Sequence, residues 1–248
     1  MKLTVITICY NCQDTIEQTI ISVLEQTYKN FEYIIVDGNS NDDTKKIINK
    51  YKDKITKIIS EADKGIYDAI NKGLKIASGE VISLLHGNDV FSNKEALFKI
   101  TEEFNQDKNI DVVISDLAFK NNLKINKISR YYKARTFKPW MLRIGYSPPH
   151  LSSFFKLKKI KELGYYNAEY KIAGDFDFFV KAFLIKKFKY KVIDECLIYM
   201  SVGGLSGKNI NSYICSSKEI NRSLKFHGFI SNIFVTFLRF PLKIIQIL

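Results

Sequence analysis

The sequence predicts an α/β fold built on a mostly parallel central sheet. Three observations carry this. Short apolar or β-branched runs alternate with stretches of helical spacing along the first 115 residues, which is the pattern of βαβ units. The second run, residues 31–36, is apolar nearly throughout, which suits a parallel strand covered on both faces. Clusters of Asp, Asn, Ser and Gly follow these runs at 37–44, 60–73 and 86–89, where open α/β sheets bind ligands.

The elements follow in chain order. Residues 2–9 are apolar and β-branched, a first strand. Asp14-x-x-Glu17 is a capping-box pattern, and Ile16, Ile20, Val23 and Leu24 follow at helical spacing. After the strand at 31–36, Asp42 or Asp43 can cap a helix whose inner side carries Ile47, Ile48 and Tyr51. Residues 57–60 form a short third strand. Residues 67–77 form a helix ended by Ser78-Gly79, and 80–85 a fourth strand. A helix over 94–104 and a fifth strand over 111–115 complete the alternating part. Beyond it, 117–144 is basic, aromatic and poorly periodic. Strands are expected at 150–155 and 190–200, helices at 175–185 and 211–226, and a loop at Gly203-Gly204-Leu205-Ser206-Gly207.

Length and charge narrow the function classes. A chain of 248 residues can bury one sizeable core. Four cysteines are too few for a disulfide framework, which suggests a reducing cytoplasm, and residues 1–9 have no signal-peptide pattern. Cys9-x-x-Cys12 lacks the second ligand pair of a zinc site and reads as a strand end entering a turn. The net charge of +12 is local: residues 117–161 hold 12 lysines and arginines and no acid, and the remainder is balanced. Such a stretch attracts nucleic acid, an anionic membrane surface or a phosphorylated substrate. A nucleic-acid-binding module explains that stretch but none of the acidic strand ends. A dinucleotide-binding domain would need G-x-G-x-x-G after the first strand, and Cys9-Tyr10-Asn11-Cys12-Gln13-Asp14 has no glycine.

Four motifs in order carry a family resemblance. They are Val5-Ile6-Thr7-Ile8-Cys9-Tyr10-Asn11, Asp37-Gly38-x-Ser40-x-Asp42-x-Thr44, Asp63-x-Gly65-x-x-Asp68-Ala69-x-Asn71-x-Gly73 and Gly79-Glu80. Together they resemble the nucleotide-binding half of a family 2 glycosyltransferase with the GT-A fold, densely over residues 2–92 and more thinly beyond. The resemblance implies a GT-A domain over 1–208, divided into a sugar-nucleotide half (1–92) and an acceptor and catalytic half (93–208). Asp37 can accept from a pyrimidine N–H, with Thr7 and Tyr10 flanking the base and Gly38 and Ser40 turning the backbone around it. By similarity Asp63, Lys64, Asp68 and Asn71 line the ribose and sugar side, and Asn11, Gly65 and Asn88 complete the donor set. His86-Gly87-Asn88-Asp89 falls where the family carries its metal-binding acids. Asp89 is the retained acid, and Gly87 and Asn88 stand where many relatives have another. Mg²⁺ or Mn²⁺ is therefore the implied cofactor, held largely by phosphates and water. His86 is either a ligand or a structural strand-end residue.

Gly174-Asp175-Phe176-Asp177 resembles the family's acid-acid motif, with Gly174 replacing the first acid. Asp175 takes the general-base position and can also cap its helix; Asp177 is the second candidate base. His150, after Pro148-Pro149, resembles a histidine near acceptor and phosphate. Gly204 and Ser206 fall in a loop that resembles one closing on the bound donor. The implied activity is inverting transfer from a nucleotide-diphosphate sugar, UDP-linked by expectation, to a hydroxyl of a glycan. A non-catalytic sugar-nucleotide-binding subunit is the alternative, motivated by the thinned acids at 87–88 and 174.

The expected C-terminal part, 209–248, is helical. Within it Asn232, Thr236, Arg239, Lys243 and Gln246 form one polar stripe at helical spacing, with apolar residues around it and a kink at Pro241. This suits an interfacial helix on an anionic membrane. With the basic stretch, it points to a lipid-linked saccharide acceptor at the inner face of the cytoplasmic membrane. No nucleic-acid partner is expected, and the oligomeric state is left open.

Overall fold

The computed structural model describes residues 1–121, 128–201, 210–232, 236 and 239. Its first half follows the expected alternation. Strands β1 (Leu3–Cys9), β2 (Phe31–Asp37), β3 (Lys57–Ser60) and β4 (Val81–His86) are joined by helices α1 (Ile16–Leu24), α2 (Thr44–Asn49) and α3 (Ile66–Ile76). All four strands run parallel in the order β3-β2-β1-β4. Every residue of β1 is buried, so the strand is covered on both faces. Helix α3 sits close against it. A Cβ on Gly73 would lie 2.6 Å from Ile6 Cγ2, so the helix needs glycine there.

The second half has the strands expected near 150–155 and 190–200 and the helix expected over 211–226, and differs in its added strands, its pairing and the segment 175–185. It contains β5 (Val90–Phe91), α4 (Ala96–Gln106), β6 (Val112–Lys120), β7 (Ile128–Tyr132), β8 (Ser153–Lys156), α5 (Leu157–Leu163), α6 (Gly174–Phe179), β9 (Tyr190–Ser201) and α7 (Ile210–Phe226). The sheet continues β4-β8-β6-β9-β5, with β7 on β6. β8 is antiparallel to both neighbours, whereas β6 and β9 are parallel. β6 runs five residues past its expected end because β9 and β7 pair with it. Its partner β7 lies in the basic stretch and keeps Arg130 over the Phe119 ring, a cation–π pairing that obscures the alternation. The expected helix over 175–185 is α-helical only to Phe179 and π-helical from Val180 to Ile185. The core here is aromatic: Tyr166 stacks on Phe178 at 4.3 Å, and Phe155 meets Phe178, Phe179 and Phe183.

The expected capping box does not form. Thr15 precedes α1 without a side-chain cap bond. Its hydroxyl instead donates to Gly87 O at 2.9 Å, tying α1 to the end of β4.

Candidate active site

The carboxyl ends of β1, β2 and β3 form a cradle. The loop after β1 is zipped to the loop after β2: Asn11 N donates to Ser40 Oγ (2.8 Å), Asn41 N to Asn11 Oδ1 (2.9 Å) and Cys12 N to Thr44 Oγ1 (2.9 Å). Asn11 and Asn39 take left-handed backbone to make these turns. Asp42 accepts from Gln13 N and Thr44 N, a cross-loop tie and a turn bond leading into α2, while Asp43, at the cap position, makes no side-chain cap bond. Tyr10 is 59 % exposed at the rim. Gly38 lies between Tyr10 and Asp63, and a Cβ there would come within 2.5 Å of Asp63 Oδ2.

Two expected base contacts are placed differently. Asp37 is fully buried, and its carboxylate accepts from Ser40 Oγ (2.5 Å), Ser60 Oγ (2.7 Å) and Ser40 N. It shapes the loop from beneath. Thr7 is also fully buried and pairs with the Tyr33 hydroxyl at 3.0 Å. The turn into α3 is held by its own acids: Gly65 N donates to Asp63 Oδ1 and Lys64 N to Asp68 Oδ2. The Lys64 side chain is exposed. Asn71 is a bridge, donating to Tyr166 O (2.8 Å) and accepting from Tyr166 N (3.0 Å).

The end of β4 brings His86 and Asp89 beside His150. Gly87 has no room for a side chain, since a Cβ would lie 2.7 Å from Cys12 Sγ and 2.8 Å from Cys9 Cβ. That packing accounts for the missing acid. Asp89 is fully buried; Oδ1 accepts from Ser201 N at 2.9 Å, while Oδ2 lies 3.4 Å from His86 Nδ1 and has no hydrogen-bond partner. Burial pushes the Asp89 carboxyl up to about 7. Burial pulls His86 down to about 3, with His150 adding to it, and His150 down to about 4. Both imidazoles are therefore neutral at pH 7. His86 Nε2 is likewise buried without a partner. Among the described residues no three His, Cys, Asp or Glu side chains cluster as a metal site. Orphaned Asp89 Oδ2 nevertheless fits a hard divalent cation that draws its other ligands from phosphate and water. Asn88 lies in the same turn, its carbonyl accepting from Ser201 Oγ.

A third cluster closes the site. Asp175, on the first turn of α6, accepts at Oδ1 from Phe176 N (2.8 Å) and the Tyr67 hydroxyl (3.2 Å). Tyr67 also donates to Ile172 O (2.6 Å), and its ring stacks on Tyr166 at 6.0 Å. Burial, with the Asp175 charge adding to it, raises both the Tyr67 and Tyr166 phenols well above their ordinary range, so both stay protonated. The Tyr166 hydroxyl meets His150 Nε2 at 3.0 Å. Gly174 is explained here: a Cβ would lie 2.7–2.9 Å from three atoms of the Tyr67 ring. Asp177 is buried on the α7 side, where Ser223 Oγ (2.8 Å), His227 Nε2 (2.9 Å) and Lys181 Nζ (3.8 Å) meet it. Gly204 and Ser206 lie outside the described residues.

Sequence reasoning missed two residues. Tyr67 carries no signal of its role, because its partner Asp175 is 108 positions away. Glu219 on α7 accepts the backbone N–H groups of Lys171, Ile172 and Ala173 at 2.8–2.9 Å and so anchors the segment that presents Asp175. No motif in the sequence marks it.

Loops zipped together at the strand ends, a buried carboxylate oxygen without a partner at Asp89 and a carboxylate held by Tyr67 at Asp175 are the features of a candidate group-transfer site on an α/β sheet. The family model of glycosyl transferase family 2 matches residues 4–164. The chain belongs to that family and is a glycosyltransferase that uses nucleotide-sugar donors. It is 29 % identical over 188 residues to an uncharacterized glycosyltransferase of Mycobacterium tuberculosis, covering 74 % of this chain and 69 % of that one. Over 88 residues it is 49 % identical to the UDP-Glc:alpha-D-GlcNAc-diphosphoundecaprenol beta-1,3-glucosyltransferase WfaP of Escherichia coli, 35 % of each chain. Among solved structures it resembles S. aureus TarS in complex with UDP (TM-score 0.71, 22 % identity, 95 % of this chain and 68 % of that one). It also resembles the mannosyltransferase PcManGT of Pyrobaculum calidifontis in complex with GDP-Man and Mn²⁺ (TM-score 0.69, 15 % identity, 99 % and 72 %). The fold is GT-A.

Proposed function

We propose that the chain moves a hexose-type sugar, with inversion, from a UDP-linked donor to a hydroxyl of a lipid-linked saccharide. The reaction takes place at the inner face of the cytoplasmic membrane, within bacterial surface-polysaccharide assembly. The observation that carries the reading is Asp175 held by the Tyr67 hydroxyl at the junction of the two halves. WfaP acts from UDP-Glc on a diphosphoundecaprenol-linked acceptor, which supports the substrate classes.

The nucleotide sits in the cradle of Tyr10, Asn11, Gly38 and Ser40, over a floor shaped by Asp37 and Thr7. Asp63, Lys64, Gly65 and Asp68 border the ribose and sugar, and Asn71 holds Tyr166 beneath them. Asp175 takes the proton of the acceptor hydroxyl as that oxygen attacks the anomeric carbon. The new carbon–oxygen bond forms as the bond to the diphosphate breaks, and UDP leaves with the electron pair from the opposite face. Asp89, with Asn88 and His86 adjoining, would hold Mg²⁺ or Mn²⁺, which when bound supplies neutralising charge to the diphosphate. His150, kept neutral and bonded to Tyr166, borders the acceptor and phosphate side.

The test is UDP release from a panel of UDP sugars, with and without Mn²⁺ or Mg²⁺, using membrane lipid extract as acceptor. Release from one donor is expected, and Asp175→Asn should lower it at least about 100-fold. Nucleotide binding without acceptor-dependent release, unchanged in Asp175→Asn, would identify a binding subunit instead.

A further inference from the structure

The turn at the end of β4 is held from two directions. From the nucleotide side, Gly87 N donates to Ile8 O at 2.9 Å, and Thr15 Oγ1 donates to Gly87 O at 2.9 Å. From the other side a single residue holds the next two positions. It is Ser201, the last of β9 and 112 positions from Asp89. Its N–H donates to Asp89 Oδ1 at 2.9 Å and its hydroxyl to Asn88 O at 2.5 Å. Three consecutive residues of one turn are thus placed by β1, the start of α1 and the end of β9.

Ser201 is itself fixed on both edges of its strand. On one edge β5 pairs with β9, Val90 with Tyr199 and Phe91 with Ile198. Ser92 extends that edge, its N–H donating to Leu197 O at 2.9 Å and its hydroxyl to Cys196 O at 2.6 Å. On the other edge β9 runs in parallel register with β6 as far as Lys120 beside Ser201. Buried Lys120 sets its ammonium 3.5 Å from the centre of the Tyr199 ring, which adds to the hold on this end of the strand. A carboxylate is rigid, so a bond that fixes Oδ1 also fixes the direction of Oδ2. Asp89 Oδ2 is the oxygen without a hydrogen-bond partner, 3.4 Å from His86 Nδ1, and the one that fits a divalent cation. Hydrogen bonds to a ligating carboxylate orient it and tune how tightly the metal is held.

We propose that Ser201 is a positioning residue for cation binding: its N–H and hydroxyl together hold Asn88 and Asp89 so that Asp89 Oδ2 is presented to Mg²⁺ or Mn²⁺ on the donor diphosphate. This deepens the reading of Asp89 as the cation-holding acid and rests on it. Ser201 acts through Asp89 and not on the ion. Asp89 lies in the expected sugar-nucleotide half and Ser201 in the expected acceptor half, so the cation site is built from both.

Calorimetric titration of the full chain with UDP, in chelator and at a series of Mn²⁺ concentrations, gives the Mn²⁺ concentration at which UDP binding has tightened halfway. Wild type, Ser201→Ala, Ser201→Thr and Asp89→Asn are compared. Ser201→Ala removes the bond to Asn88 O and keeps the N–H on Asp89, and one hydroxyl lost from a strand end leaves the chain folded. Its half-point is expected about tenfold above that of the wild type. Affinity for UDP in chelator should stay where it was, because the cradle at the ends of β1 and β2 sets it. Ser201→Thr, which retains the hydroxyl, should return the half-point close to the wild-type value. An unchanged half-point in Ser201→Ala, with tightening lost in Asp89→Asn, would overturn the role of Ser201 and leave the Asp89 reading standing. Weakening by the same factor in chelator and in Mn²⁺ would mark a general loosening and overturn it as well. No tightening by Mn²⁺ or Mg²⁺ in the wild type, or tightening that survives Asp89→Asn, would overturn both readings.

Discussion

Tyr67 has one proton to donate and two acceptors within reach, Ile172 O at 2.6 Å and Asp175 Oδ1 at 3.2 Å. Either bond fixes Asp175 relative to the α3 turn, because Ile172 belongs to the segment that leads into α6. Tyr67→Phe keeps the ring packing and removes both bonds. A lost hydrogen bond of about 1–1.5 kcal/mol predicts a kcat about tenfold lower with donor KM little changed, measurable by steady-state UDP release. Gly174→Ala tests the same contact from the other side. Its methyl cannot fit against the ring, so Tyr67 must shift, at a cost of about 1–3 kcal/mol in stability together with a fall in kcat. A thermal melt and a rate measurement on one sample check both. Asp175 was legible because a short motif carried it. Tyr67 was legible only as a helix residue, because hydrogen bonds across 108 positions leave no local pattern.

Two elements depend on carboxylates that gather backbone amides. At the amino end of the sheet, buried Glu32 on β2 accepts from Thr4 Oγ1, Ser78 Oγ and the N–H groups of Ser78 and Gly79, with Lys2 3.1 Å away. Burial alone would raise its carboxyl; these bonds outweigh it and lower it from 4.5 to about 2. A lowered acid stabilises the fold above its unfolded value, and the contribution is lost as pH falls from about 4.5 towards 2. The shift corresponds to about 3 kcal/mol. Glu32→Gln should therefore lower stability at pH 7 and flatten its decline below about pH 4.5, as read from urea midpoints across that range. Glu219 does for the active site what Glu32 does for the sheet, and Glu219→Ala, which frees three amides, should cost about 2–4 kcal/mol and lower kcat. The strands of the first half were legible because apolar runs and turn residues mark them locally. β7, β5 and the extension of β6 were not, because their pairing depends on partners far along the chain.

Among the described residues the two expected halves are cross-tied. Asn71 holds the Tyr166 backbone, Tyr67 reaches Asp175, β8 joins β4 to β6, and β9 pairs with β5. The sheet is continuous across the expected boundary near residue 92, and the expected boundary near 208 falls outside the described residues. Two truncations separate the roles of the last forty residues. Ending the chain after residue 228 removes the Arg239 bond to Ser217 but keeps Glu219 on its three amides and Asp177 with Ser223 and His227. Ending it after residue 208 removes α7 altogether. It leaves buried Asp177 without those two partners, uncovers the lead into α6 and loses buried Ile220 and Leu224. An unpaired buried carboxylate with two lost apolar side chains costs about 5 kcal/mol or more, a large share of a typical domain's stability. The shorter truncation is therefore expected to melt in a single transition and release UDP, and the longer one to be insoluble or molten by near-UV circular dichroism. If the chain ending at 208 proves folded and active, α7 is an appendage and Glu219 has no part in holding Asp175.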